Sequence, residues 1–143
     1  GEHSYSTRQQ PIAANRPDQA DLEHATAFGA EIRKKLSGSQ QLIPPATIPG
    51  NVPYREGVVL GQIAPETIPE RCVLCGVCAS VCPTFTIQVA DQVLTETAQC
   101  VMCCACVKEC PHEARVMSHP VVAERRNLLA ENFSQRKEPQ WFL

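Results

Sequence analysis

Nine cysteines dominate the chemistry open to this 143-residue chain, and eight of them fall into two matching sets. Cys72, Cys75, Cys78 and Cys82, followed by Pro83, recur 28 residues later as Cys100, Cys103, Cys106 and Cys110, followed by Pro111. Each set reads CxxCxxCxxxCP, the spacing of bacterial iron-sulfur ligation, in which the fourth cysteine serves the other set's cluster. Thiolates separated by two residues can wrap three corners of a cubane while the intervening amides point at its sulfides. The fourth cysteine begins to diverge along a short helix and reaches across instead, and the proline after it turns the chain away. One cluster is therefore expected on Cys72, Cys75, Cys78 and Cys110, and a second on Cys100, Cys103, Cys106 and Cys82. Two 4Fe-4S clusters are the expected cofactors. Ligands crossed in this way tie both halves together, so metal binding and folding become one event.

Other uses of the cysteines fit the spacing less well. Structural zinc ligands normally fall in two CxxC pairs separated by a longer loop. Disulfides need an oxidising compartment, and a chain read as unexported argues against them. The ninth cysteine, Cys104, overlies Gly76 when the halves are aligned, and reads as a small packed non-ligand, a redox or alternative-ligand role being the other option. Arg71, Lys108 and Arg115 lie near the ligands and read as solvated surface charge, the alternative being that they favour the reduced, more negative state. His112 reads as an exposed turn residue. Val73, Leu74, Val77, Val101, Met102 and Ala105 are expected to form a small apolar shell that limits water. No GxSxG, HExxH, Walker loop or GxGxxG occurs, so no catalytic residue is assigned and the chain is read as a non-enzyme.

The elements that must position these ligands are few. Of the residues, 43% are apolar, about 36% once the cysteines are removed, so burial alone builds only a thin core. Residues 1–38 form an N-terminal segment in which Asp18 caps a helix running to about Leu36. Leu22, Ala25, Phe28, Ile32 and Leu36 make its apolar stripe, and Lys34, Lys35 and Gly38 mark its end. A Pro-rich linker spans 39–65, the cluster domain 66–118, and a helical tail 119–143 with Val122, Leu129 and Phe133 on one side. Within the cluster domain, Ile87 to Leu94 reads as a tight hairpin around Asp91 and Gln92, and Val116 and Met117 as the equivalent strand of the second half. The terminal Trp141, Phe142 and Leu143 are expected to dock on this protein or on a partner. The net charge of -2 gives no basic field for nucleic acid. The longest apolar run, Cys100 to Val107, is too short to span a bilayer and no leader opens the chain, so a cytoplasmic protein is expected.

At its cysteines the chain resembles the two-cluster bacterial 4Fe-4S ferredoxins over residues 66–118, where all eight ligands and both prolines match. The resemblance implies an α+β, ferredoxin-like, pseudo-twofold βαββαβ two-cluster domain, flanked here by the N-terminal helix, the linker and the C-terminal helical tail. It departs at Arg115, which stands in the usual aliphatic place. More widely, the opening GEHSYST, the Asp18–Leu36 helix and the closing ENFSQRKEPQWFL resemble the C-terminal part of bacterial flavodoxin-ferredoxin fusion proteins. The phosphate loop of a flavodoxin is missing, so FMN is not expected on this chain alone. The expected function is that of a low-potential one-electron carrier meeting a redox partner protein, a reductase or flavoprotein. The alternative is an electron-wiring subunit or domain of a larger flavin-dependent oxidoreductase, and a purely structural iron-sulfur role is a third reading. Counting each oxidised cluster with its thiolates as 2- takes the charge from -2 to about -6, which suits a basic docking face. Oxygen sensitivity and an anaerobic or microaerobic host are expected of exposed clusters.

Overall fold

Asp18 opens the first helix by a reciprocal pair of bonds. The computed structural model describes residues 2–38, 50–54, 56–57 and 62–142, so most of the expected linker lies outside the described residues. Helix α1 (Gln19–Ser37) begins where the Asp18 carboxylate accepts from the Asp21 amide at 3.0 Å and the Asp21 carboxylate accepts from the Asp18 amide at 2.9 Å. This capping box satisfies donors that the first turn leaves orphaned, while Lys34 and Lys35 lie in the last turn beside the exposed carbonyls. No residue of α1 is buried, so its apolar stripe covers none of the cysteine region. Its ring contact is with the tail: Phe28 stacks on Trp141 with centroids 4.5 Å apart. Arg136 pairs with Asp18 and Asp21 at the start of the same helix.

The cysteine region repeats its secondary structure as faithfully as its sequence. Strand β1 (Glu66–Thr67), a 3-10 turn at Pro69–Arg71, helix α2 (Val77–Ser80) and strand β2 (Ile87–Val89) make the first half. Strand β3 (Val93–Thr95), a 3-10 turn at Thr97–Gln99, helix α3 (Ala105–Lys108) and strand β4 (Arg115–Val116) make the second. The strands pair across the halves. β1 runs antiparallel to β4 with Thr67 opposite Arg115, and β2 antiparallel to β3 with Ile87 opposite Thr95. Each two-stranded sheet thus takes one strand from either half, and neither half has a complete sheet of its own. The hairpin expected at Asp91 and Gln92 is the β2–β3 connection, closed by the Ala90 amide on the Gln92 carbonyl at 3.1 Å. The final strand covers 115–116 rather than Val116 and Met117, which makes Arg115 a strand residue.

The core is thin, and cysteine forms much of it. One buried cluster joins Ile63, Cys104, Met117 and Val122, with Tyr5 packed against it; the other joins Cys78, Cys82, Ile87 and Cys106. Helix α4 (Pro120–Asn132) starts with proline in its first turn and buries Val122 completely, whereas Phe133, expected on the same side, is half exposed. The N-terminal loop docks against the same helices: Arg126 Nε donates to the Tyr5 carbonyl at 2.8 Å, and Lys108 Nζ donates to the His3 carbonyl at 3.1 Å. Among the described residues no helix is long and apolar enough to cross a membrane.

Candidate metal centre

The loops that carry the cysteines bend at equivalent residues. Left-handed backbone occurs at Leu74 and Met102 (φ 56° and 52°), at Gly76 and Cys104 (78° and 57°), and at Phe85 and Glu113 (55° and 48°). Each pair stands 28 residues apart. Left-handed conformations disfavour ordinary side chains, so their recurrence at equivalent positions, five of them not glycine, marks one loop path shared by both halves. Gly76 and Cys104 also serve as the N-caps of α2 and α3, the two helices that start from a cysteine loop.

Two cavities follow from this path. One is lined by Cys72, Cys75, Cys78 and Cys110, the other by Cys82, Cys100, Cys103 and Cys106. Each draws three cysteines from one half of the repeat and the fourth from the other half. Cys104 touches the second cavity as well, yet its 3% exposure and its place among Ile63, Met117 and Val122 make it part of the packing. Among the described residues no three His, Cys, Asp or Glu side chains converge closely enough for a single metal ion. A tetrahedral zinc with Zn–S near 2.3 Å holds its sulfurs about 3.8 Å apart. Cysteines ringed more widely around a cavity fit a multi-atom cluster instead. Cys78, Cys82 and Cys106 are buried, Cys72, Cys100 and Cys110 half-buried, and Cys75 and Cys103 open to solvent.

The sulfurs meet different donors. Cys82 Sγ lies 3.4 Å from Thr86 Oγ1 and 3.6 Å from Thr84 Oγ1, whereas Cys110 Sγ accepts from the Ala114 amide at 3.3 Å. Burial pushes the Cys82 thiol up, but the two threonine hydroxyls and their amides outweigh it and bring it down to about 6. Burial is likewise outweighed at Cys110, by the amides of His112, Arg115 and Ala114, and its thiol is lowered. Burial raises the thiols of Cys78 and Cys106 against the opposing pull of Arg115, and raises Cys104 to about 11. Sulfurs held as thiolates are the form that binds iron.

Arg115 corrects the surface reading of its charge. It is 3% exposed, because β4 turns it inward onto the cavity of Cys72, Cys75, Cys78 and Cys110. Nη1 donates to Thr67 Oγ1 at 2.7 Å and Nη2 to Thr95 Oγ1 at 3.0 Å, while Nη2 also reaches Cys106 Sγ at 3.8 Å. Its Nε is buried with no partner among the described residues. An inward cation and an orphaned donor beside eight cysteines fit an anionic group. Arg71 and His112 are exposed as expected, and Lys108 pairs with Glu2 at 3.2 Å. The apolar shell is more open than its composition implies: Val73, Val101 and Leu74 are 59%, 58% and 41% exposed, since the loop path that aims the cysteines inward sends these neighbours out. Thr67, Thr84, Thr86 and Thr95 escaped sequence reasoning. The available signal was a charge at position 115 where the other half has Ile87.

The Fer4 family model, 4Fe-4S binding domain, matches residues 65–88, the segment carrying Cys72, Cys75, Cys78 and Cys82. Among curated proteins none matches the chain. A 4Fe-4S binding domain is therefore present, and it supports an iron-sulfur, ferredoxin-type electron-transfer role.

Proposed function

We propose that this chain is a low-potential electron carrier with two 4Fe-4S clusters, one on Cys72, Cys75, Cys78 and Cys110 and the other on Cys100, Cys103, Cys106 and Cys82. The observation that carries the reading is the pair of four-cysteine cavities, each completed by a cysteine from the opposite half. The family match covers the first half alone, and the equal spacing, strands and left-handed residues of the second half extend the reading to it. When bound, each cluster supplies reversible one-electron chemistry. The protein's part is to hold the sulfurs, to exclude water from the buried ones and to place donors and charge beside them. Cys75 and Cys103, open to solvent, leave one edge of either site accessible to a redox partner. Among the described residues none is proposed to be catalytic.

The pseudo-twofold βαββαβ domain of 66–118 is the electron-carrying unit in this reading, with 1–38, 39–65 and 119–143 as its N-terminal segment, linker and tail. The resemblance to the C-terminal part of flavodoxin-ferredoxin fusion proteins suggests a flavoprotein or reductase as partner, a cytoplasmic location and no FMN on these residues alone. The alternative, an electron-wiring domain of a larger flavin-dependent oxidoreductase, is favoured by one observation: α1 keeps Leu22 and Leu36 51% and 63% exposed along an amphipathic stripe.

Iron and acid-labile sulfide on anaerobically purified protein, with low-temperature EPR before and after dithionite, test the reading. About eight of each and a coupled signal only after reduction are expected. About two zinc ions without labile sulfide would overturn it, and clusters that resist dithionite would leave them a structural role.

A further inference from the structure

The internal repeat supplies its own control, because residues 28 apart hold equivalent places and any difference between them belongs to this chain. At the fourth cysteines the difference is in side-chain donors. Cys82 has two hydroxyls at its sulfur, from Thr84 and Thr86; the equivalents beside Cys110 are His112 and Ala114, which place no hydroxyl there. A ligating thiolate carries no proton, so the Thr86 hydroxyl donates to it, while the single Thr84 proton is shared between the sulfur and Thr86 Oγ1, 3.4 Å away. In the strands the difference is in charge. Arg115 reaches the sulfur of Cys106, while its equivalent, Ile87, offers no donor and packs in the apolar cluster of Cys78, Cys82 and Cys106. The Arg115 fork is held by Thr67 and Thr95, themselves equivalent residues, one from either half.

Among the described residues no carboxylate compensates the charge of Arg115. Every Asp and Glu of the chain lies among the described residues, and none forms an ion pair with it. A buried cation needs a negative partner, and the groups beside it are the cysteine sulfurs of the two cavities. Reduction adds negative charge to a cluster, and donors or cations at its sulfurs favour that state.

Resting on the two-cluster reading, we propose that the two sites are electrically unequal, the site of Cys82, Cys100, Cys103 and Cys106 taking the first electron, with Arg115, Thr86 and Thr84 as the positioning residues that make it so. All three side-chain donors converge on that site. Arg115 lines the other cavity, where it makes no hydrogen bond to sulfur, so its charge acts on both sites and the hydrogen bonds to Cys106 and Cys82 make the difference between them. One electron enters from an external low-potential donor and leaves to an acceptor, and no bond forms or breaks in the protein.

The test uses anaerobically prepared protein with its iron and sulfide counted. Reductive titration is followed by EPR and by the paramagnetically shifted cysteine β-proton resonances, assigned residue by residue. In the wild type the Cys82, Cys100, Cys103 and Cys106 resonances reach their reduced positions first. At the potential where that site is half reduced, Arg115→Gln lowers its reduced-to-oxidised ratio about tenfold, which is about 59 mV for a one-electron couple. The other site changes by a smaller factor. Thr86→Val, nearly isosteric, shifts the same site in the same direction by a smaller factor, and Arg115→Lys restores most of the loss. Simultaneous reduction of both sites in the wild type, earlier reduction of the Cys72 site, or an unchanged ratio in Thr86→Val overturns the proposal. Should Arg115→Gln fail to load, the wild-type order and Thr86→Val still decide. Fewer than two clusters per wild-type chain is a different failure, that of the two-cluster reading itself.

Discussion

Replacing Cys82 by alanine asks which set of cysteines its sulfur serves. In the crossed arrangement, Cys82 is held with Cys100, Cys103 and Cys106, so its shortest link to that site, to Cys100, closes a loop of roughly 18 residues containing the whole β2–β3 hairpin. Chain-entropy arithmetic puts such a link at about 3 kcal/mol, against about 2 kcal/mol for the loop of roughly four residues that ligation within its own set would close. Removing a sulfur that is only 9% exposed adds about 1 kcal/mol of lost packing. That about 4 kcal/mol is the part due to this link alone; the set of Cys72, Cys75, Cys78 and Cys110 still joins the two halves, so a weakened protein that keeps one cluster is expected. The decisive assay is protection rather than stability. Anaerobic alkylation with iodoacetamide followed by peptide mass spectrometry should find Cys100, Cys103 and Cys106 newly reactive, and Cys72, Cys75, Cys78 and Cys110 still protected. Iron should fall from about eight toward about four per chain. Reactivity at Cys72, Cys75 and Cys78, with the Cys100 set protected, would refute the crossing.

Other parts of the structure carry four more expected outcomes. Cys104→Ala should keep about eight iron and eight sulfide per chain, because that thiol packs against Ile63, Met117 and Val122, and a loss of half the iron would make it a ligand. Val122→Ala removes two methyls from a fully buried site and should lower stability in urea by about 2 kcal/mol, whereas a loss under ~0.5 kcal/mol would mean that α4 does not seal the core. Gly76→Ala has open space for its Cβ but must hold φ +78°, so about 1 kcal/mol of backbone strain is expected, measured as a lower urea midpoint of the loaded protein. The capping box of α1 should resist acid: the Arg136 bond to Asp18 and the Arg16 bond to Asp21 hold both carboxyls below their ordinary range. Depressed folded values give stability that is complete above the unfolded carboxyl pKa of about 3.9 and lost only as pH falls through the folded ones. Backbone amide shifts of residues 19–37 should therefore stay helical from pH 7 down to about 4, and fraying near pH 5 would contradict the pairing.

Local chemistry was the legible part. The span of α1 follows from Asp18, the stripe and Gly38, since capping and periodicity act within a few residues, and the observed Gln19–Ser37 agrees. The hairpin at Asp91 and Gln92 was legible for the same reason. What the stripe of α1 packs against was not, because periodicity reports that a face is apolar and says nothing about its occupant. Leu22 and Leu36 stay exposed, and Phe28 finds Trp141 from the far end of the chain. The apolar shell was overdrawn in the same way: Val73 and Val101 are apolar, but left-handed turns beside them set their direction.

The cysteine spacing, by itself, determined the chemistry of this protein, because ligation depends on donor type and on short loop lengths that the chain states outright. The repeat also supplied two equivalent sets of four cysteines. Only the tertiary structure decided which side chains surround each set. A strand alternates its side chains between two faces, and the placement of β4 at 115–116, opposite β1, turned Arg115 from an expected surface charge into a buried one beside the cysteines. Its partners Thr67, Thr95 and Cys106 come from β1, β3 and α3, elements brought together only by the pairing of strands across the halves.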